Sequence, residues 1–130
     1  NLVNISGCFG KSIFDSEDFQ IEIVNGVAIV KVNLPRTTFN KAEEFKQLLD
    51  TLLAAKHNKI IIDFSECHYI DSMIVGVMVK SVKSVRKKNG DILVITPSGS
   101  INVMFARTGL YKIFKQFWTI EKAIESFTLK

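Results

Sequence analysis

Two short runs, KIIIDF (Lys59 to Phe64) and DILVIT (Asp91 to Thr96), constrain this chain more than any other feature. Each is apolar and β-branched without alternation, the pattern of a strand covered on both faces. Between them a helix pattern runs from about Ser72 to Lys88 and is stopped by Asn89-Gly90. Buried strand, helix and buried strand in succession imply a right-handed crossover and parallel pairing, so the chain is directed to an α/β fold.

The flanking segments extend that plan. FQIEIVNGVAIVKVN, from Phe19, alternates on either side of Asn25-Gly26, the strongest short-range hairpin signal, and predicts two opening antiparallel strands. After Pro35, Ala42, Phe45, Leu48, Leu49, Leu52 and Leu53 share one helical stripe, with Asn40 expected as N-cap and Glu43 nearly completing a capping box. PSGSINVMFARTGL reads as a turn and a short helix closed by Gly109; YKIFKQFW holds a weak strand, and TIEKAIESF a last helix. The expected order is β, β, α, β, α, β, α, weak strand, α: a mixed β-sheet with an antiparallel opening hairpin, parallel core strands and about four flanking helices. Residues 18–130 are expected to form one domain, and residues 1–17 a tail or an added edge element.

Composition narrows the function classes. Hydrophobic residues make up 47% and charged residues 23% of the 130, the balance of a folded globular domain. Seventeen basic against thirteen acidic residues give a net charge of +4, too small an excess to identify nucleic acid as a direct partner. The clustered KSVKSVRKK (Lys80 to Lys88) has the spacing of a solvated helix face. Two cysteines, Cys8 and Cys67, are too few for a disulfide scaffold and point to a reducing, cytoplasmic setting. No apolar run reaches the roughly 20 residues that span a bilayer, so no membrane insertion is expected.

In open α/β sheets, sites form at the carboxyl ends of the strands, and ECHYIDS (Glu66 to Ser72) occupies that position. The helix that follows is apolar at Met73, Ile74, Val75, Val77, Met78, Val79, Val82 and Val85, which leaves Ser72, Gly76, Lys80, Lys83 and Lys87 on one polar stripe headed by Ser72. A phosphate on a hydroxyl there would meet unpaired N–H groups and the positive end of the helix dipole. From spacing alone, a plain N-cap role for Ser72 with Asp71 as its neighbour is the favoured reading, since serine and aspartate are the commonest caps.

Catalytic readings fare worse. His68, Asp71 and Ser72 are too close in sequence for a hydrolase triad, and no G-x-S-x-G elbow surrounds Ser72. Cys67, His68 and His57 do not make a zinc set, so no metal is expected. CFGKS (Cys8 to Ser12) lacks the strand and first glycine of a P-loop, no dinucleotide fingerprint is present, and no cofactor is expected. The PSGS turn could offer N–H groups to an anion but reads better as a turn and helix cap.

Through the residues of this central stretch and two later segments, the chain resembles the STAS family, the domain shared by bacterial anti-sigma factor antagonists and sulfate transporter tails. IIIDFSECHYIDS is similar to the family's strand, Asp-Leu-Ser, spacer, Asp-Ser pattern; KKNGDILVI and VMFARTGLYKIF match two further segments, and the likeness covers about Phe19 to Phe127. The resemblance implies a non-enzymatic binding module for partner switching in transcription regulation. It implies Ser72 as the site phosphorylated by a partner anti-sigma factor that is itself a serine kinase. The docking surface it implies comprises Asp71, Ser72, Met73, Gly76, Lys80, Lys83 and His68, with Arg36 near the Pro35 turn. This chain has Met73 and Ile74 where the family keeps small residues before Gly76, and Arg36 where the family's turn often carries an acid; Arg36 is a candidate to pair with a phosphate on Ser72. The alternative is a STAS scaffold without the switch, a subunit of a transport or signalling assembly in which Met73 and Ile74 are contacts.

Overall fold

The computed structural model describes residues 17–97 and 99–128. Strands β1 (Phe19–Val24) and β2 (Val27–Val32) form the expected hairpin, with Phe19 opposite Val32 and Val24 opposite Val27. Asn25 and Gly26 between them have φ of 52° and 78°. Two successive left-handed residues define a type I′ turn, whose twist suits a hairpin and which Asn-Gly adopts with least strain.

There follow β3 (Arg36–Thr37), a 3-10 turn (Phe39–Lys41), α1 (Ala42–Ala54), β4 (Lys59–Asp63), β5 (Tyr69–Ile70), α2 (Ser72–Arg86) and β6 (Asp91–Ile95). Helix α3 (Ser100–Thr108), a second 3-10 turn (Leu110–Lys112), β7 (Gln116–Phe117) and α4 (Ile120–Thr128) complete the described chain. The main sheet has the order β1-β2-β4-β6-β7, antiparallel at the hairpin and parallel elsewhere.

The unbroken apolar runs are explained by cover on both faces. Ile60, Ile62, Ile92 and Val94 turn to the larger core, under Phe45, Leu48 and Leu49 of α1, Ile74, Met78 and Val82 of α2, and Phe105 of α3. Ile61, Leu93 and Ile95 turn the other way, with Val27 and Ile29, beneath Ala123 and Phe127 of α4. Each isoleucine or leucine fully buried this way contributes about 1.5–3 kcal/mol.

The structure corrects the sequence reading at Asn40 and Met73 and adds to it at two further places. Asn40 does not cap α1: it lies in the 3-10 turn, its Oδ1 accepts from the Thr38 hydroxyl, and the residue before α1 is Lys41, whose side chain caps nothing. Strands β3 and β5 were not anticipated; they pair in parallel as a separate two-stranded ribbon, Arg36 opposite Tyr69 and Thr37 opposite Ile70. At the end of α2 the left-handed residue is Asn89 (φ 65°), while Gly90 serves close packing: a Cβ there would lie 1.9 Å from the Asn58 carbonyl oxygen. Met73, read as part of the apolar face of α2, is 57% exposed. The tail or edge element expected at residues 1–17, with Cys8 and CFGKS, lies outside the described residues except for Glu17, as does Ser98 of the PSGS turn.

Candidate functional site

The segment between β4 and α2 is held from three directions. Buried Asp63, at the end of β4, accepts from the Ser65 backbone N–H (2.9 Å) and hydroxyl, turning the chain out of the sheet. The N–H groups of His68 and Tyr69 both donate to the Pro35 carbonyl, at 2.7 and 3.2 Å, extending the β3–β5 ribbon. The hydroxyl of Ser100, at the start of α3, donates to the His68 carbonyl. Cys67 is buried beneath, its thiol 3.4 Å from the Tyr69 carbonyl and 3.6 Å from the Thr37 hydroxyl, so CHY is partly buried wall and partly exposed rim.

Asp71 is the junction. Its Oδ1 accepts from the Ile74 N–H at 3.1 Å, the N-cap bond of α2, and its Oδ2 accepts from the Phe39 N–H at 2.7 Å. One carboxylate thus accepts a donor at the start of each of two helical segments, so the N-cap of α2 is Asp71 and not Ser72. Ser72 is the first residue of α2; it is exposed, and its hydroxyl makes no hydrogen bond among the described residues.

The other predicted residues fall around it. Met73 projects outward, whereas Ile74, expected as its companion at the surface, is fully buried in the larger core. Gly76, Lys80 and Lys83 are exposed farther along α2. Exposed His68 and Arg36 lie on the β3–β5 side, where the Arg36 guanidinium stands 4.3 Å from the centre of the Tyr69 ring. Two exposed aromatics that the sequence reading did not single out flank the site: Phe39 at 71% and Tyr69 at 42%. Their signal was present, since both precede predicted helix starts, but neither position belongs to a periodic pattern.

A groove of about 480 Å³ runs between α1 and α2 from Ser72 and Met73, past Gly76, to Lys80 and Ser84, with Glu43, Lys46 and Asp50 on the α1 wall. None of the described helices is long and apolar enough to cross a membrane.

The order and pairing of the sheet agree with what comparison with known proteins finds. The chain belongs to the STAS domain family, whose model matches residues 18–123. A Thermotoga maritima protein named as a candidate anti-sigma factor antagonist is 30% identical over 112 residues, covering 86% of this chain and 99% of that one. The crystal structure of a candidate anti-sigma factor antagonist from Thermotoga maritima superposes with a TM-score of 0.77 at 29% identity, over 85% of this chain and 94% of the other. At the level of fold alone, the Bacillus cell fate determinant SpoIIAA in its phosphorylated form has a TM-score of 0.66 at 21% identity, over 84% of this chain and 98% of that one. The chain is an anti-sigma factor antagonist-like STAS domain, in a family of binding modules.

Proposed function

We propose that this domain is the phosphoacceptor of a partner switch: a serine kinase that is also an anti-sigma factor binds it when Ser72 is free and releases it once Ser72 is phosphorylated. The observation that carries this reading is the state of Ser72, exposed at the first position of α2 with an unengaged hydroxyl, while Asp71 performs the capping that would otherwise be its bland role.

Phosphorylation there would add about −1.5 to −2 charge on an exposed surface. The helix dipole and the first-turn N–H groups of α2 stabilise that charge in place, and the Asp71 carboxylate beside it concentrates negative potential against any partner shaped for a neutral hydroxyl. Fold-level likeness to a protein that has a phosphorylated form agrees with the reading. Asp71, Met73, Gly76, Lys80, Lys83, His68 and Arg36 then form the surface the partner reads.

The test is mass spectrometry of the protein recovered from its native cell, with partner capture by the natural chain, Ser72→Ala and Ser72→Asp. Phosphate on Ser72 in some growth condition, with capture kept by Ser72→Ala and lost by Ser72→Asp, supports the switch. Absence of phosphate in all conditions while partners still co-purify rejects it in favour of a scaffold subunit of a transport or signalling assembly.

A further inference from the structure

Three features of the α1–α2 groove are unexplained by the fold itself. Gly76 sits inside a 15-residue helix on an exposed turn, yet nothing lies within 4 Å of where its Cβ would be, so the chain's own packing does not need a glycine there. Glycine is among the poorest helix formers, and its retention leaves the groove floor low. Ser81 lines the same groove, is only 6% exposed, and its hydroxyl has no hydrogen-bond partner among the described residues. A buried hydroxyl left unpaired is unfavourable, and a ligand bringing an acceptor relieves it. Lys80 on the groove and Lys83, exposed on α2 outside the groove lining, have no carboxylate within ion-pair distance among the described residues, whereas Lys46 on the opposite wall is already paired to Asp50 at 2.9 Å.

We propose that the partner seats an acidic, amphipathic segment in this groove, with an apolar side chain over Gly76 against exposed Met73, a hydrogen-bond acceptor on Ser81, and carboxylates facing Lys80 and Lys83. This rests on the partner-switch reading and specifies which chemistry its partner presents. An apolar contact ringed by complementary charge is the usual layout of a protein interface core and rim. Glu43 and Asp50 on the α1 wall oppose a continuous polyanion, so a protein fits the groove better than a nucleic acid or an anionic bilayer.

The probe is the purified kinase that transfers phosphate from ATP to Ser72, titrated against the full chain. Gly76→Ala and Ser81→Ala should keep or raise the urea midpoint of the free domain and yet weaken kinase binding about tenfold or more, opposite signs that a purely structural role does not give. Lys80→Glu combined with Lys83→Glu should weaken binding and flatten its salt dependence, while Lys122→Glu, on α4 across the sheet, should bind as the natural chain does. If Ser72→Asp abolishes binding but the groove variants bind normally, the docking proposal is overturned and the switch stands. If Ser72→Asp binds undiminished, or no kinase modifies Ser72, both fall. Capture by phosphatidylserine vesicles that the kinase does not compete away also overturns the docking proposal.

Discussion

Asp71 and Phe39 are 32 positions apart in sequence and are joined by a 2.7 Å hydrogen bond from the Phe39 backbone N–H to the Asp71 carboxylate, whose other oxygen caps α2. That bond ties the segment leading into α1 to the first turn of α2, so both walls of the groove start from one side chain. Asp71→Asn retains one acceptor oxygen and loses the other, leaving either the Phe39 or the Ile74 N–H unsatisfied. It should lower stability by about 1–3 kcal/mol in urea unfolding. Ser72→Ala at the next position, exposed and unbonded, should stay within about 0.5 kcal/mol. Equal losses in the two variants would contradict the assignment of the cap to Asp71 rather than Ser72.

The two helix-end and helix-interior glycines give opposite expectations for the same substitution. At Gly90 an added Cβ meets backbone at Asn58, 1.9 Å away, in the joint where the Asp91 N–H also donates to the Asn58 carbonyl at 3.0 Å and the Asn58 side chain donates to the Lys88 carbonyl at 2.9 Å. Backbone cannot retreat as a flexible side chain does, so Gly90→Ala should cost about 2 kcal/mol or more. Gly76→Ala meets open space and should gain about 0.5–1 kcal/mol. Thermal unfolding of both variants against the natural chain checks the pair.

Most of the scaffold was legible because its signals are local. The Asn25-Gly26 turn, the runs at 60–62 and 92–95, and the α1 stripe each announce themselves within a few residues. What the sequence hid depends on distant partners. The β3–β5 ribbon has two residues per strand, too short for any period, and exists because Pro35 and Tyr69 meet. The start of α1 was misread because Asn40 looks like a cap by propensity, whereas the acceptor for that segment comes from Asp71. Met73 follows the apolar composition of α2 yet points outward, since composition does not distinguish a core methionine from one at a surface. For the candidate site, position at the carboxyl end of the sheet singles out Asp71 and Ser72 in the sequence; the α1 wall and Phe39 are not singled out, because they come beside those residues only through the fold.

Arg36 offers a test of charge at the rim. In the free domain its guanidinium stands over Tyr69, a contact worth about 0.5–1 kcal/mol at an exposed site. Arg36→Gln should therefore destabilise the unphosphorylated domain by about that amount. If Arg36 also serves a phosphate on Ser72, the same variant should cost distinctly more in the phosphorylated form and change its partner binding. An identical loss in both forms would confine Arg36 to stacking on Tyr69.

A last prediction concerns pH. His57 follows α1, its backbone N–H donating to the Leu52 carbonyl at 2.9 Å, and it lines a hollow with Leu53, Lys56, Asn58 and Lys88. Burial pushes the imidazole below its ordinary value of 6.5, because desolvation disfavours the charged ring. The unfolded chain therefore binds the proton at a higher pH than the folded one does. Between the two values the unfolded state carries more protons, so stability rises with pH across that window. This contribution is fully present above about pH 6.5 and is lost as pH falls from there through the lower folded-state value. Urea midpoints measured from about pH 7.5 down to about pH 5, above the range where most carboxylates titrate, should fall in the natural chain and fall less in His57→Gln. Parallel curves for the two proteins would place the acid sensitivity elsewhere and show that the ring is no less easily protonated in the fold than in the unfolded chain.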